Sequence, residues 1–99
     1  MGRLVVVVTS EQLKEEVRKK FPQVEVRLVT TEEDAKQVIK EIQKKGVQKV
    51  VLVGVSEKLL QKIKQEANVQ VYRVTSNDEL EQVVKDVKGS GLEHHHHHH

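Results

Sequence analysis

Residues 4–8 read LVVVV and residues 50–53 read VVLV, so two runs of the chain are apolar at every position. A strand with one face in water alternates apolar and polar side chains, whereas a strand covered on both faces does not. These unbroken, β-branched runs therefore predict two strands that helices cover on both sides. We expect a three-layer α/β/α sandwich in which these two strands are central.

Two further strands are predicted at residues 24–29 and 69–75, and both carry charges. Glu25 and Arg27 alternate with valine and leucine in the first of them, and Arg73 interrupts the second. Charged side chains discourage another chain from pairing with an exposed strand, which is one way in which proteins protect sheet edges. We expect these two strands to form the edges of the sheet.

A helical run follows each strand. The four helices are predicted at about residues 11–20, 32–45, 57–67 and 77–88. Pro22 ends the first helix, because its ring cannot continue the hydrogen-bond ladder. Gly46 and Asn68 stand where left-handed residues would end the second and third helices. Strands alternating with helices of this length form right-handed βαβ units and a mainly parallel sheet, here with the element order βαβαβαβα.

The order of the four strands stays open at this point. Two parallel orders place the first and third strands inside: 2-1-3-4, which resembles half of a Rossmann sheet, and 2-3-1-4, which resembles a miniature P-loop sheet. We prefer 2-1-3-4, with two helices on each face, because consecutive strands are more often neighbours.

Each predicted helix begins beside a hydroxyl residue that can cap its free backbone N–H groups. Three of these starts match the capping-box spacing, namely Thr9 with Gln12, Thr30 with Glu33, and Ser76 with Glu79. The third helix is capped more simply, by Ser56. Five acid-before-base pairs at i,i+4 spacing are expected along the outer faces: Glu15–Lys19, Glu16–Lys20, Glu32–Lys36, Glu41–Lys45 and Glu81–Lys85. Every local rule therefore favours the same four helices.

Composition excludes several classes of function. Residues 1–88 contain no His, Cys or Trp, so they offer no thiol nucleophile, His-based triad, disulfide or usual zinc or haem site. The net charge is +2 and no run approaches the roughly 20 apolar residues that span a membrane. We expect a monomer that is not an enzyme, with no cofactor and no nucleic-acid or membrane partner.

The last eleven residues, GSGLEHHHHHH, differ in character from the rest. We interpret residues 1–88 as a single α/β domain and residues 89–99 as a disordered spacer and purification tag. The metal-binding side chains that the sequence offers are those of the tag alone: His94, His95, His96, His97, His98 and His99.

The capped helices, Glu/Lys-patterned surfaces, valine-rich strands and LEHHHHHH tail resemble the computationally designed ideal α/β proteins, most of all the Rossmann-like 2x2 designs. Some designs of this kind sample strand orders that do not occur in nature, which keeps an unusual order possible. The resemblance implies a stable monomeric scaffold that tests folding rules, with no assigned catalytic or binding residues. It also implies no natural location, and a soluble cytoplasmic protein on recombinant expression.

A second hypothesis is a weak module that binds small anions or nucleotides. Ligands of open α/β sheets bind beyond the carboxyl ends of the strands, where helix N-termini also offer free N–H groups. The candidate residues there are Thr9, Ser10, Thr31, Ser56 and Ser76. No glycine-rich phosphate-binding fingerprint follows the first strand. Gly54, after the third strand, is interpreted as relieving close packing or a strained strand end.

Overall fold

The elements follow the predicted alternation closely. The computed structural model describes residues 4–96, and it describes side chains for residues 4–86. The elements are β1 (Leu4–Val8), α1 (Glu11–Lys20), β2 (Glu25–Leu28), α2 (Glu32–Lys45), β3 (Lys49–Val53), α3 (Glu57–Ala67), β4 (Gln70–Val74) and α4 (Asn77–His96).

The four strands form one sheet in the order β2-β1-β3-β4. All neighbouring strands are parallel, and Val6 of β1 lies opposite both Val26 of β2 and Val51 of β3. β3 pairs in turn with β4, where Val51 lies opposite Tyr72. The preferred order 2-1-3-4 is thereby confirmed, and the P-loop-like order 2-3-1-4 is excluded because β1 lies between β2 and β3.

The two faces of the sheet are covered by different pairs of helices. Val5 and Val7 of β1 pack in one cluster with residues of α2 and α3. Val6 and Val8 pack in a second cluster with residues of α1 and α4. The side chains of successive strand residues point to opposite faces, so β1 contributes to both clusters. Val6, Val7 and Val8 are each 0% exposed, as the apolar run predicts.

Valine dominates both clusters. Of the 23 buried apolar residues in the described part of the chain, 15 are valine. The largest fully buried side chains are different: Ile42, Leu52, Ile63 and Leu80, of which only Leu52 belongs to a strand. No polar or charged residue is buried among residues 4–86. The interior is therefore a sheet made mostly of valine under helices that supply the larger side chains.

Charges lie on the edge strand β2, as predicted, and they contact partners that the sequence does not reveal. Arg27 Nε donates to Glu41 Oε1 of α2 at 2.6 Å, and Arg27 Nη2 donates to Glu25 Oε2 at 2.6 Å. Lys45 Nζ, also on α2, donates to Glu25 Oε2 at 3.0 Å. The network ties the edge strand to the helix above it, while its four side chains stay 31–43% exposed.

The five predicted i,i+4 ion pairs were wrong for the residues that the structure describes. Glu41 and Lys45 bind β2 instead of each other, and Glu81 lies 4.0 Å from Lys20 of α1. An exposed i,i+4 pair contributes only a few tenths of a kcal/mol, so water, or for Glu41 and Lys45 a partner on β2, competes with it easily.

The last helix runs further than the sequence predicts. α4 continues to His96, whereas we expected its end near Lys88 and a disordered spacer from residue 89. No proline follows to stop it, and each added residue gains one backbone hydrogen bond once a helix has formed. The side chains beyond residue 86 and the whole of residues 97–99 lie outside the described part, so the tag interpretation stays a prediction.

None of the helices within residues 4–96 combines the length and the apolar character that crossing a lipid bilayer requires.

Among residues 4–96, three residues adopt the left-handed backbone conformation. Gly46 (φ 69°) and Asn68 (φ 50°) end α2 and α3, as predicted. Gly54 (φ 68°) ends β3, and a Cβ atom there would lie an ordinary 3.7 Å from Thr9 Oγ1. Of the two interpretations of Gly54, the strained strand end is therefore the correct one.

We expect Gly46→Ala and Gly54→Ala each to lower the free energy of unfolding by about 1 kcal/mol, because an L-residue disfavours positive φ. No atom lies within 4 Å of a Cβ atom at Gly46, so its cost comes from the backbone alone. Urea denaturation followed by circular dichroism measures the change. Lys40→Ala, in the exposed middle of α2, is the control and should stay within about 0.5 kcal/mol. A Gly46→Ala variant as stable as the parent would contradict this account.

Candidate functional site

The carboxyl ends of the parallel strands meet at one edge of the sheet, where an open α/β fold binds its ligands. From β1 the chain passes to β2 on one side of it, and from β3 to β4 on the other side. The strand order therefore reverses between β1 and β3. Thr9 follows β1 at this point, and Gly54 follows β3.

A cleft of about 460 Å³ opens there between the N-termini of α2 and α3. Its apolar floor consists of Val29, Ala35 and Leu59, which belong to the core cluster under these two helices. A volume of this size falls within the range of about 300–1,000 Å³ that is usual for small-molecule sites. The cleft is thus the best candidate site that the described part of the chain offers.

The structure brings together three of the five predicted anion-site residues. Thr9, Thr31 and Ser56 line the cleft. Ser10 and Ser76 cap α1 and α4, whose core contacts lie on the opposite face of the sheet, and neither lines the cleft. A single five-residue anion site is therefore not formed, because the four helix N-termini are divided between the two faces.

Two cationic side chains of the cleft were missed by the sequence analysis. Lys58 and Lys62 line it from α3, and Glu32 lines it from α2. The spacing of four between the lysines shows that they share a side of the helix. Which side faces the cleft depends on how α3 packs on the sheet, and nothing in the local sequence gives that.

Helix capping explains most of the hydroxyls at the carboxyl ends of the strands, a region that we call the rim. Two of the predicted caps need correction. Ser10 Oγ accepts from Leu13 N–H at 3.2 Å, so Ser10 and not Thr9 caps α1. Thr31 Oγ1 accepts from Asp34 N–H at 3.1 Å, so Thr31 and not Thr30 caps α2. The capping boxes that start at Thr9 and Thr30 were therefore wrong by one residue.

The caps of α3 and α4 are the predicted ones. Ser56 Oγ accepts from Leu59 N–H at 3.3 Å, and Ser76 Oγ accepts from Glu79 N–H at 3.2 Å. Like the caps of α1 and α2, each hydroxyl satisfies a first-turn N–H group that has no partner inside its helix.

In the first turns of α2 and α4, a carboxylate accepts hydrogen bonds from the residue that precedes the cap. Asp34 Oδ2 accepts from the backbone N–H and the hydroxyl of Thr30, at 3.1 and 3.0 Å. Glu79 Oε1 accepts in the same way from Thr75, at 3.0 and 2.7 Å. In both helices the carboxylate reaches the residue before the cap, one position earlier than a capping box would place it.

These hydrogen bonds lower the pKa of both carboxyl groups. The backbone N–H of Thr30, then its hydroxyl, hold the pKa of Asp34 below its ordinary value of 3.8. The hydroxyl of Thr75, then its N–H, hold the pKa of Glu79 below its ordinary value of 4.5. A hydrogen bond donated to a carboxylate stabilises the charged form, which is the reason for both shifts.

The chemistry available at the rim is limited. Among residues 4–86 no three acidic or histidine side chains converge on a point that could hold a metal ion. The hydroxyls of Thr31 and Ser56 already accept hydrogen bonds as caps, and no histidine stands beside them to act as a base. The arrangement offers an apolar floor, two lysines and the hydroxyl of Thr9.

No protein-family model and no curated protein matches the chain. A solved structure does: the solution NMR structure of a de novo Rossmann2x2 fold with most of the core mutated to valine. It is 90% identical over 99% of this chain and 100% of that one, with a TM-score of 0.82. The solution structure of a phosphate-loop protein is a more distant match, 36% identical over the whole of both chains with a TM-score of 0.62.

The fold and its capped rim are those of a designed, idealised α/β protein. By its identity to the valine-core design, this chain belongs to the family of de novo designed Rossmann2x2 proteins. The resemblance seen in the sequence is thereby confirmed, and so is its implication of a designed scaffold without a natural function.

The cap assignment at α1 can be tested with two adjacent hydroxyl residues. We expect Ser10→Ala to lower the free energy of unfolding by about 1 kcal/mol, because the Leu13 N–H group loses its acceptor. Thr9→Ala should change it by less than about 0.5 kcal/mol, since Thr9 caps no helix. Urea denaturation of both variants measures the difference. A larger loss for Thr9→Ala than for Ser10→Ala would show that the cap is misassigned.

The two lowered pKa values can be distinguished by removing only the hydroxyls. Thr75→Val should raise the pKa of Glu79 substantially, because the hydroxyl is the main cause of that shift. Thr30→Val should raise the pKa of Asp34 by less, because the backbone N–H is the main cause there and survives. Carboxyl ¹³C chemical shifts followed against pH report both groups. Each variant is the control for the other, since neither should move the distant carboxylate.

The two lowered pKa values also determine how the stability of the fold changes with pH. Because both groups have a lower pKa in the folded than in the unfolded chain, their stabilisation is present above the ordinary values of 3.8 and 4.5. It is lost as the pH falls through the lower, folded values. Stability unaffected by Thr75→Val at neutral pH, or a Glu79 pKa that does not rise, would contradict this explanation.

Proposed function

We propose that this chain has no catalytic or partner-binding role and that its sequence tests whether a core filled mostly by valine specifies one fold. The observation that carries the proposal is the composition of the interior, where 15 of 23 buried apolar residues are valine. The related design, by its description, has most of its core mutated to valine. The interior of this chain has the same valine-rich character.

A valine-rich core presents a specific physical problem. Uniform cores tend to be loosely specified, because many side-chain arrangements have nearly equal energy. Valine reduces this problem, since its branched Cβ restricts χ1 strongly and leaves few rotamers. It also suits the central strands, where β-branched side chains pack well on the pleated surface. In this chain Ile42, Ile63 and Leu80 on the helices complement the small strand side chains.

The absence of enzymatic activity is part of the proposal. It is supported by the structural role of the hydroxyls at the carboxyl ends of the strands. The hydroxyls of Ser10, Thr31, Ser56 and Ser76 each accept from a helix N–H group. Evolved proteins usually break a local rule at a functional site. Here these four hydroxyls at the carboxyl ends of the strands serve as helix caps, so no reaction needs to be invoked to explain them.

A monomeric state is also proposed. The β2 edge is only four residues long and carries the network of Glu25 and Arg27, both features that disfavour pairing with a second chain. Light scattering should give the mass of one 11.4 kDa chain.

Binding of a small anion or nucleotide remains the second hypothesis. In its favour, Thr9, Thr31 and Ser56 meet at one cleft. Against it, Thr31 and Ser56 already serve as caps, and the carboxylates of Asp34 and Glu79 occupy the hydrogen-bond donors of Thr30 and Thr75. A bare anion would have to displace bonds that the helices supply to themselves.

We expect the chain to unfold in one cooperative step, because a core with few rotamers has one packed arrangement. Differential scanning calorimetry should give equal calorimetric and van't Hoff enthalpies, with a heat-capacity increase of about 12–15 cal/mol/K for each folded residue. A broad transition, with a van't Hoff enthalpy far below the calorimetric one or a heat-capacity step well under that range, would show that the core is fluid.

A pair of valine variants is the control for this experiment. Val51 is 0% exposed in the central strand β3, whereas Val71 of the edge strand β4 is only half-buried. Val51→Ala should cost about 2–3 kcal/mol and Val71→Ala clearly less, because only a tightly packed site retains a cavity. Equal costs at the two positions would mean that the interior relaxes freely, and the proposal would be wrong.

A further inference from the structure

We propose that the cleft between the N-termini of α2 and α3 binds small aromatic anions, with the ring on its apolar floor and the anionic group at Lys58 and Lys62. This goes beyond the scaffold role, because nothing in folding requires these two lysines. Neither forms an ion pair with any residue in the described part of the chain.

The floor favours an aromatic ring. Val29 and Ala35 are only 6% and 5% exposed, so they belong to the fixed interior and not to a mobile surface. Leu59, partly buried, completes the floor from α3. A planar ring laid on these three side chains would remove its own apolar face from water, which is the main favourable contribution for such a ligand.

The wall on the α3 side favours negative charge. Lys58 and Lys62 lie one turn apart on the same side of the helix, and Lys62 is half-buried along the cleft. The N-terminal end of α3, with its partial positive charge, lies beside them. Charges from three sources therefore converge on the same side of the cleft.

The cleft also contains a hydroxyl with no assigned role. Thr9 is half-buried and lines the cleft, and its hydroxyl has no hydrogen-bond partner among the described residues. Ser56, by comparison, has a structural role, because its Oγ accepts from Leu59 N–H at 3.3 Å as the cap of α3. Thr9 can donate to an anionic oxygen without displacing any bond of the fold.

Glu32 on the opposite wall decides where the anionic group lies. Its carboxylate lines the cleft from α2 and repels an anion on that side. The anionic group is therefore expected beside α3, with the ring between the two helices. A bare sulfate or phosphate would meet the same repulsion and gain nothing from the floor, so an aromatic anion is the better fit.

The test is a titration of the ¹⁵N-labelled full chain with naphthalene-2-sulfonate, observed through backbone amide shifts. We expect saturable shifts at residues 30–32 and 54–59, with a dissociation constant of about 1 mM, an ordinary affinity for a ligand of this size. Sodium sulfate carries the charge alone and 2-naphthol the ring alone. Each should bind at least about fivefold more weakly, because sulfate can contact only the lysines and 2-naphthol only the apolar floor.

Charge variants locate the anionic group. K58Q/K62Q should weaken binding of the sulfonate about fivefold, and Glu32→Gln should strengthen it about twofold, the size expected for exposed charges. K40Q/K64Q removes two exposed lysines of α2 and α3 that do not line the cleft, and should leave the affinity unchanged.

Five results would overturn the proposal. Shifts that fail to saturate, or that fall on α1 and α4, would mean that the cleft binds no ligand. Sulfate binding as tightly as the sulfonate would identify a bare-anion site with no role for the floor. Equal affinity for 2-naphthol would remove the role of the lysines, and so would unchanged binding by K58Q/K62Q.

Discussion

The rest of this structure depends on the burial of β1 and β3 on both faces. Their backbone N–H and C=O groups cannot reach water, so each strand must pair along both of its edges. Each strand must also be covered above and below, which requires helices on both sides of the sheet. Parallel pairing of β2 with β1, β1 with β3 and β3 with β4 meets both requirements. The outer strands can then carry charges, because only one of their edges is paired.

The division of labour within the core follows from that arrangement. Valine suits a strand between two helical layers, since its branched side chain packs well on either face of the sheet with little rotamer freedom. A sheet of small side chains leaves space that the helices must fill, and Ile42, Ile63 and Leu80 do so from above and below. The core is thus specified by the contrast in size between layers as much as by hydrophobicity.

The rim at the carboxyl ends of the strands shows how structural and functional needs compete for the same groups. Each helix start there leaves N–H groups without an intrahelical partner, and a ligand or a nearby side chain can satisfy them. In this chain the side chains do it: Thr31 and Ser56 cap the helices beside the cleft, and Asp34 adds a second closure at α2. What remains for a ligand is the apolar floor, Thr9 and the lysines of α3.

The sequence by itself determined the eight elements, the layers and the position of each strand, inside or at an edge. Those properties depend on hydrophobic period and on local conformational preference, and each is carried by a few neighbouring residues such as Val5 to Val8 or Gly46. The tertiary structure alone decided the strand order, because both parallel orders bury the same side chains. It also decided that Arg27 binds Glu41, that Ser10 and not Thr9 caps α1, and that Lys58 faces the cleft. Each of these depends on distances between segments far apart in the chain, or on a one-residue choice that the packing of a helix end decides.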